Sequence, residues 1–269
     1  MNEKSCYAYL HNLPLLTIDC TAAMQTTQEP SPAIPNYKLN TRYVALVMAA
    51  IGVAIILFVT GNYGKRRDCR DGSALPNDWL DDVTYQKPYH PDTFAYGLTF
   101  IFALLLPVLI VAKSPCVQTG VTWTVLFRYA VIIGVFYAAG AGISNGIVDN
   151  LKRQLCSLRP YAALRPDDPD SYLSTPSGHS NMVVFTNLYV SYWYLKSIPD
   201  NILKVGFCML MSIYPFIVCA TRITDNHHWP VDVIAGSSIG TVVALSTFVV
   251  IESIEVVKNH RGSVVGILG

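Results

Sequence analysis

The chain has 269 residues, of which 52% are apolar and only 14% charged, with a formal net charge of +1. Soluble domains carry roughly a quarter of charged residues, so this chain has too few charges to coat a globule of its size. The net charge argues against nucleic acid as a partner, because no basic excess exists to release counterions, and the seven cysteines form no Cys-x-x-Cys pair of the kind that marks a structural zinc site.

Residues 1–42 read as a poorly ordered tail. Their one apolar stretch, Leu13–Ile18, is short, broken by Pro14 and flanked by His11 and Asp19, which is not the pattern of a cleavable signal peptide. Pro30, Pro32 and Pro35 mark a linker.

A membrane-spanning helix needs about 20 mostly apolar residues. Six windows meet or approach this: Tyr43–Thr60, Phe94–Ala112 with Pro107 inside, Thr122–Val148, Asn181–Leu195, Ile202–Ala220 with Pro215 inside, and Val231–Ile251. The fourth is short unless extended at one end. The expected fold is therefore all-α: a polytopic membrane protein with six transmembrane helices over 43–251, followed by a short C-terminal tail, 252–269.

Six spans place both termini on one side of the membrane. Three segments then gather on the other: Gly61–Thr93, Asp149–Ser180 and Thr221–Pro230. Lysines and arginines occur on both sides, several of them in chemically suggestive positions, so charge alone does not set the orientation.

Three polar blocks lie in those segments, at span ends: Lys152 through Arg159-Pro160, Thr175-Pro176-Ser177-Gly178-His179, and Thr221-Arg222 through His228 to Asp232. Lys152, Arg159 and Arg222 are three fixed cations able to converge on one anion. Arginine offers planar donors that match phosphate oxygens, and lysine adds a point charge. Ser177 and Gly178 sit where a span begins, and free N–H groups at a helix N-terminus favour an anion. Gly178 lets that backbone approach closely. Three unpaired cations in a low-dielectric pocket are costly, so a multiply charged anion is implied.

His228 and Asp232 are four residues apart, facing each other across one turn if the last span starts near Pro230. Asp232 can then hold one ring nitrogen of His228 and raise the basicity of the other. His179 can supply a proton to a leaving alkoxide. The cations supply the neutralisation that phosphoryl transfer needs, so no metal is required. Each block alone is weak, because an Arg beside a span is usually an anchor and Pro-Ser-Gly-His alone can be an ordinary turn and N-cap. Three such blocks on one expected face form a much stronger pattern.

These blocks resemble the three-part signature of the type 2 phosphatidic acid phosphatase (PAP2) superfamily: Lys, six residues, Arg-Pro; Pro-Ser-Gly-His; and Ser-Arg, five residues, His, three residues, Asp. Here they are Lys152 with Arg159-Pro160, Pro176 to His179, and Arg222, His228 and Asp232. The spacing selects His228 over His227. The resemblance implies that His228 is the nucleophile with Asp232 as its charge partner, and that His179 is the proton donor. It implies phosphate binding by Lys152, Arg159, Ser177, Gly178 and Arg222, supported by Pro160 and Pro176.

The chain is most similar to the animal lipid phosphate phosphatases. The stretch Asp82 to Thr93 is similar to their acidic-then-Pro-Tyr segment. Three departures stand out. Thr221 replaces the usual Ser, Cys156-Ser157 stand in place of Gly-Arg, and no Asn-x-Ser/Thr sequon is present. Cys69 and Cys156 fall on the same side and can pair if that side is oxidising.

The resemblance implies a metal-independent phosphatase, without cofactors, acting on lipid phosphate monoesters of the phosphatidate, lysophosphatidate, sphingosine 1-phosphate or ceramide 1-phosphate class through a phosphohistidine. It further implies a multi-pass protein of the plasma membrane or endomembranes. The site would be extracellular or lumenal and the termini cytoplasmic. A homo-oligomer is compatible with this. The competing readings are an isoprenoid diphosphate phosphatase or lipid phosphotransferase using the same pocket, a catalytically silent lipid-binding relative, and a channel or transporter. A silent relative would have lost signature residues. A channel would carry polar residues along its span interiors.

Overall fold

The computed structural model describes Cys69 and residues 78–94, 123–197 and 202–267. The tail 1–42, the first expected span (43–60) and the second beyond Phe94 lie outside the described residues. Among the described residues, regular structure is wholly helical. The four α-helices are α1 (Trp123–Leu155), α2 (Gly178–Ser197), α3 (Ile202–Thr224) and α4 (Pro230–Ile267). Three short 3-10 turns, at Val83–Tyr85, Ala162–Leu164 and Pro169–Tyr172, punctuate the loops. The third to sixth apolar windows fall on α1 to α4 in order.

Helix α1 is 33 residues long. At 1.5 Å per residue that is about 50 Å, well beyond the ~30 Å thickness of a bilayer core. Its last turns, carrying Lys152 and Arg153, extend past the apolar window that ends at Val148. The helix stops where Cys156 takes a left-handed conformation (φ 47°), and the Cys156 N–H closes on the Lys152 carbonyl at 3.1 Å.

The short fourth window is extended at its N-terminal end. Helix α2 begins three residues earlier than Asn181, with Ser177 as its N-cap: the Ser177 hydroxyl accepts from the Ser180 N–H (3.4 Å) and hydroxyl (3.1 Å). Helix α3 ends at Thr224, followed by Asn226 in the left-handed region (φ 57°). The His227 N–H then returns to the Arg222 carbonyl at 3.1 Å, a helix stop for which Asn is well suited.

Helix α4 opens with Pro230 at its first position, where a missing N–H does no harm. Asp232, two residues on, accepts the Trp229 N–H at 2.8 Å, which is one half of a capping box. The helix continues to Ile267, past the tail expected from residue 252 onward. No Gly or Pro interrupts residues 252–261, and the Glu and Lys residues there favour several more helical turns.

Helix α2 is the centre of the bundle. Its Met182, Phe185, Tyr189 and Trp193, all buried, interlock with Ile133, Phe136 and Tyr137 of α1 and with Val243, Ala244 and Ile251 of α4. Polar pairs bridge the same interface. The Ser144 hydroxyl donates to Asn181 Oδ1 at 2.6 Å, and the Tyr137 and Thr186 hydroxyls meet at 2.9 Å. Helix α4 closes on α2 through Gly236 and Gly240, one turn apart, whose missing side chains let the backbones meet.

The outer faces are apolar. Met209 and Phe216 on α3 and Val231, Ile234, Val242 and Val249 on α4 are exposed. Two segments, Val205–Thr224 and Pro230–Glu252, are long and apolar enough to cross a membrane, and only 17% and 33% of their apolar windows are buried. A soluble core helix of this length would be mostly buried, and apolar faces this extensive are rare on proteins surrounded by water.

Candidate active site

Helix α1 from Gly134 to Arg153, the start of α2, the end of α3 and the turn leading into α4 line a cavity of about 880 Å³. Its lining includes Lys152, Arg159, Gly178, His179, Arg222 and His228, six of the residues singled out in the sequence, together with Tyr89, Asp92, Asp149, Tyr161 and His227. The three blocks thus meet, each delivered by a helix end.

The first block turns the corner after α1. Lys152 is held by its own ammonium, which donates to the Leu173 carbonyl at 3.0 Å. Segment 157–159 then runs beside segment 171–175. The Arg159 N–H donates to the Ser171 carbonyl and the Ser174 N–H to the Ser157 carbonyl, both at 2.9 Å. The Arg159 guanidinium lies 3.3 Å from His227 Nδ1 through Nη1, while its buried Nε makes no hydrogen bond among the described residues. Pro160 points its carbonyl outward to accept the Lys87 N–H at 3.0 Å.

The second block starts α2. Gly178 and His179 face the cavity. Ser177 is fully buried, its hydroxyl serves the N-cap, and its N–H donates to the Asp232 carbonyl at 3.0 Å. Ser177 and Pro176 are not among the cavity-lining residues, so they shape the turn from behind.

The third block spans the end of α3 and the start of α4. His228 is buried, with Nδ1 3.7 Å from Asp232 Oδ2, just beyond hydrogen-bond range. Asp232 itself is fully buried and heavily engaged: Oδ2 accepts from the Ser174 hydroxyl (2.5 Å) and the Trp229 N–H (2.8 Å), and Oδ1 accepts from the Thr175 hydroxyl. The carboxylate therefore stays anionic and fixed beside the ring. Burial pushes the His228 imidazole down to about 3, against the opposing pull of Asp232. The ring is neutral near pH 7, with Nδ1 on the Asp232 side and Nε2 left as the nitrogen with a free lone pair.

Arg222 is fully buried and doubly ion-paired, with Nη1 2.5 Å from Asp92 Oδ1 and Nη2 3.2 Å from Asp225 Oδ2. His227, passed over by the motif spacing, also bridges these groups. Its Nε2 meets the His90 carbonyl at 2.7 Å and lies 3.3 Å from Asp92, so Nδ1 is the acceptor facing Arg159. Burial lowers the His227 pKa from its ordinary value, as the adjacent arginines also do. For Asp92, burial pulls upward, but the Arg222 guanidinium prevails and holds its carboxyl below the usual range.

Sequence reasoning assigned no role to Asp92, Asp225, Ser174 or Thr175. Ser174 directly precedes the second block, and Thr175 opens it. Asp92 and its neighbour Thr93 directly precede an apolar window, a position where an acid flanks a span end. Nothing local in the sequence pairs that position with Arg222, 130 residues away.

Segment 78–94 straps the outside of the site. Asn226 Nδ2 donates to the Pro88 carbonyl at 2.9 Å. Trp229, beside His228, is fixed by its Nε1 donation to the Leu158 carbonyl (2.9 Å), by Lys87 4.8 Å above its ring and by the edge of Tyr85. Cys69 and Cys156 form a disulfide with Cα atoms 5.3 Å apart, and around it Leu158, Ala162 and Tyr172 make a second small core, against which Trp79 packs. Among the described residues no group of three or more His, Cys, Asp or Glu side chains converges as metal ligands.

Residues 133–254 match the family model described as the PAP2 superfamily, a stretch that holds all three blocks. Among curated proteins, the chain is similar to "Phospholipid phosphatase 2" of Rattus norvegicus, 24% identical over 76% of this chain and 82% of that protein. It is also similar to a "Putative phosphatidate phosphatase" of Drosophila melanogaster, 23% identical over 74% of this chain. The match spans only 65% of the fly protein's length. No solved structure gives a significant match.

Proposed function

We propose that the chain is a phosphoric monoester hydrolase that acts on lipid phosphates through a phosphohistidine on His228, a reading that starts from the match of residues 133–254 to the PAP2 superfamily. One observation carries this reading. A neutral, buried imidazole backed by a fixed carboxylate shares one cavity with a second histidine and three cations. Phosphate monoesters are the ligand class that such a set of groups neutralises and attacks.

In the first step the Nε2 lone pair of His228 attacks phosphorus. The ester P–O bond breaks and its electron pair leaves with the alkoxide. His179, which burial pushes down to about 4 in the empty cavity, takes up a proton as the phosphate anion binds beside it and gives that proton to the leaving oxygen. Asp232 stabilises the positive charge that develops on the His228 ring. Lys152, Arg159 and Arg222, with the positive end of the α2 dipole, balance charge on the non-bridging oxygens. In the second step His179 takes a proton from water as the water attacks phosphorus. The P–N bond breaks, phosphate leaves and His228 returns neutral.

The lipid part of the reading is supported by the exposed apolar faces of α3 and α4 and by the names of the two relatives. The three blocks lie at span ends, at headgroup depth, and the cavity continues along α1 as far as Gly134, so the phosphate enters at the blocks while the acyl chains stay in the leaflet. In a six-span protein the cavity and the Cys69–Cys156 disulfide share one face, and disulfides persist on oxidising sides of membranes. That supports a lumenal or extracellular site with cytoplasmic termini.

The test is phosphate release from phosphatidate in detergent micelles by the full chain, with EDTA present throughout. Wild type is expected to turn over and to be trapped as a covalent phospho-protein after rapid acid-free quenching. His228→Ala is expected to lose both. Equal turnover by His228→Ala, or strict dependence on magnesium, sinks the mechanism.

A further inference from the structure

Arg222 has no exposed surface, although it lines the cavity. Its two carboxylate partners differ in place. The Asp225 side chain is 11% exposed and lies away from the cavity, whereas the Asp92 side chain is 43% exposed and is itself part of the cavity lining. A phosphate approaching Arg222 from the cavity therefore meets the Asp92 carboxylate first. Two anions cannot share one guanidinium edge at contact distance without strong repulsion.

We infer that Asp92 competes with the phosphate group for Arg222, so that phosphate binds by exchanging places with the Asp92 carboxylate. This rests on the phosphatase reading above and adds an affinity-setting residue to it. The backbone is built to allow the exchange. The next residue, Thr93, is clamped by Asp225, which accepts both its N–H (3.0 Å) and its hydroxyl (2.9 Å). The Asp92 side chain alone, half exposed, turns into the cavity mouth while its backbone stays pinned. His227, 3.3 Å from the same oxygen, holds the displaced group near its origin. The returning carboxylate then helps to expel product phosphate.

A purely structural Asp92 predicts the opposite sign. If it only braced Arg222, its loss would leave the guanidinium misplaced and phosphate binding weaker. Competition predicts stronger binding, because the fraction of sites open to ligand multiplies the apparent affinity.

The experiment uses the full chain in detergent with inorganic phosphate as the probe. Its Kd is read from thermal stabilisation by phosphate and its Ki from inhibition of phosphatidate hydrolysis. For Asp92→Asn, both constants are expected to fall about tenfold, as they would if the empty site were open about a tenth of the time. Asp225→Asn removes a carboxylate that does not face the cavity, and it is expected to leave phosphate binding unchanged or weaker. Unchanged or weaker binding in Asp92→Asn overturns the inference, and so does equal tightening in Asp225→Asn. Asp92→Ser is the second variant. If neither Asp92 variant folds, the carboxylate is a strut that substrate does not displace, and the inference is likewise overturned. A wild type that neither hydrolyses phosphatidate nor binds phosphate sinks the phosphatase reading. An active wild type with unaltered affinity in Asp92→Asn sinks this inference alone.

Discussion

Gly236 of α4 packs so tightly on Ser177 that a Cβ at this position would lie 2.2 Å from the Ser177 carbonyl oxygen. The obstructing atom is backbone at the start of α2, so it cannot swing aside as a side chain would. One turn further on, a Cβ on Gly240 would lie 2.4 Å from the Asn181 carbonyl oxygen. These two contacts set the distance between the helix start that bears His179 and the helix start that bears Asp232.

Gly236→Ala is accordingly expected to separate the two helix starts. Overpacking a tight interface usually costs about 1–3 kcal/mol, and a clash with backbone belongs at the upper end of that range. A fall in melting temperature in detergent, together with reduced phosphatidate hydrolysis, is the expected result. Gly206→Ala is the control, because nothing lies within 4 Å of a Cβ there and the residue is not part of the cavity lining. Equal stability of Gly236→Ala and wild type would refute the close approach.

Asp232→Asn is expected to lower kcat by about a hundredfold or more, in line with the loss of the orienting carboxylate in a catalytic triad. An amide presents one donor group where the carboxylate has only acceptors, and it meets the Ser174 and Thr175 hydroxyls and the Trp229 N–H. Helix content by circular dichroism is expected to stay near that of wild type. A variant with normal kcat would remove Asp232 from the mechanism.

The pH dependence of stability follows from His228. Its folded-state pKa is depressed to about 3 from the ordinary 6.5. Between those values the unfolded chain binds the proton and the folded chain does not. Stability is thus fully present above pH 6.5 and is lost progressively as pH falls toward 3. The depressed pKa of His227 acts in the same direction. Melting temperatures measured from pH 7.5 to pH 5 should fall on the acid side, with a shallower slope in His228→Gln. A slope unchanged by that substitution would show that His228 is not held neutral.

The Cys69–Cys156 disulfide closes a loop with a sequence separation of 87 residues. In the chain-entropy picture a loop of that size is worth about 4–5 kcal/mol, and native disulfides typically contribute about 2–5 kcal/mol. Reduction, or the double change Cys69→Ser and Cys156→Ser, is expected to lower the melting temperature while leaving the helix content of the bundle in place. Labelling of the reduced thiols by a membrane-impermeant reagent, from one side only of sealed vesicles, reports the side of the site.

The sequence by itself determined the elements and the chemical groups. Apolar runs of span length set the identity of α1 to α4, because helix formation depends on residues a few positions apart. Pro230 and the four-residue step from His228 to Asp232 were likewise local, so the start of α4 and the carboxylate behind His228 were legible. The phosphate-matching side chains were legible too, as residue types at fixed spacing.

Tertiary structure decided what those groups meet. The Arg222–Asp92 pair, the Cys69–Cys156 link and the Ser174 and Thr175 hydroxyls on Asp232 join positions separated by 57 to 130 residues. No periodicity encodes such contacts. They exist because the α2–α4 packing at Gly236 and Gly240 and the strap of residues 78–94 bring distant backbone together. Local spacing thus named the cations of the cavity, and only the fold showed that one of them, Arg222, is already held by a carboxylate.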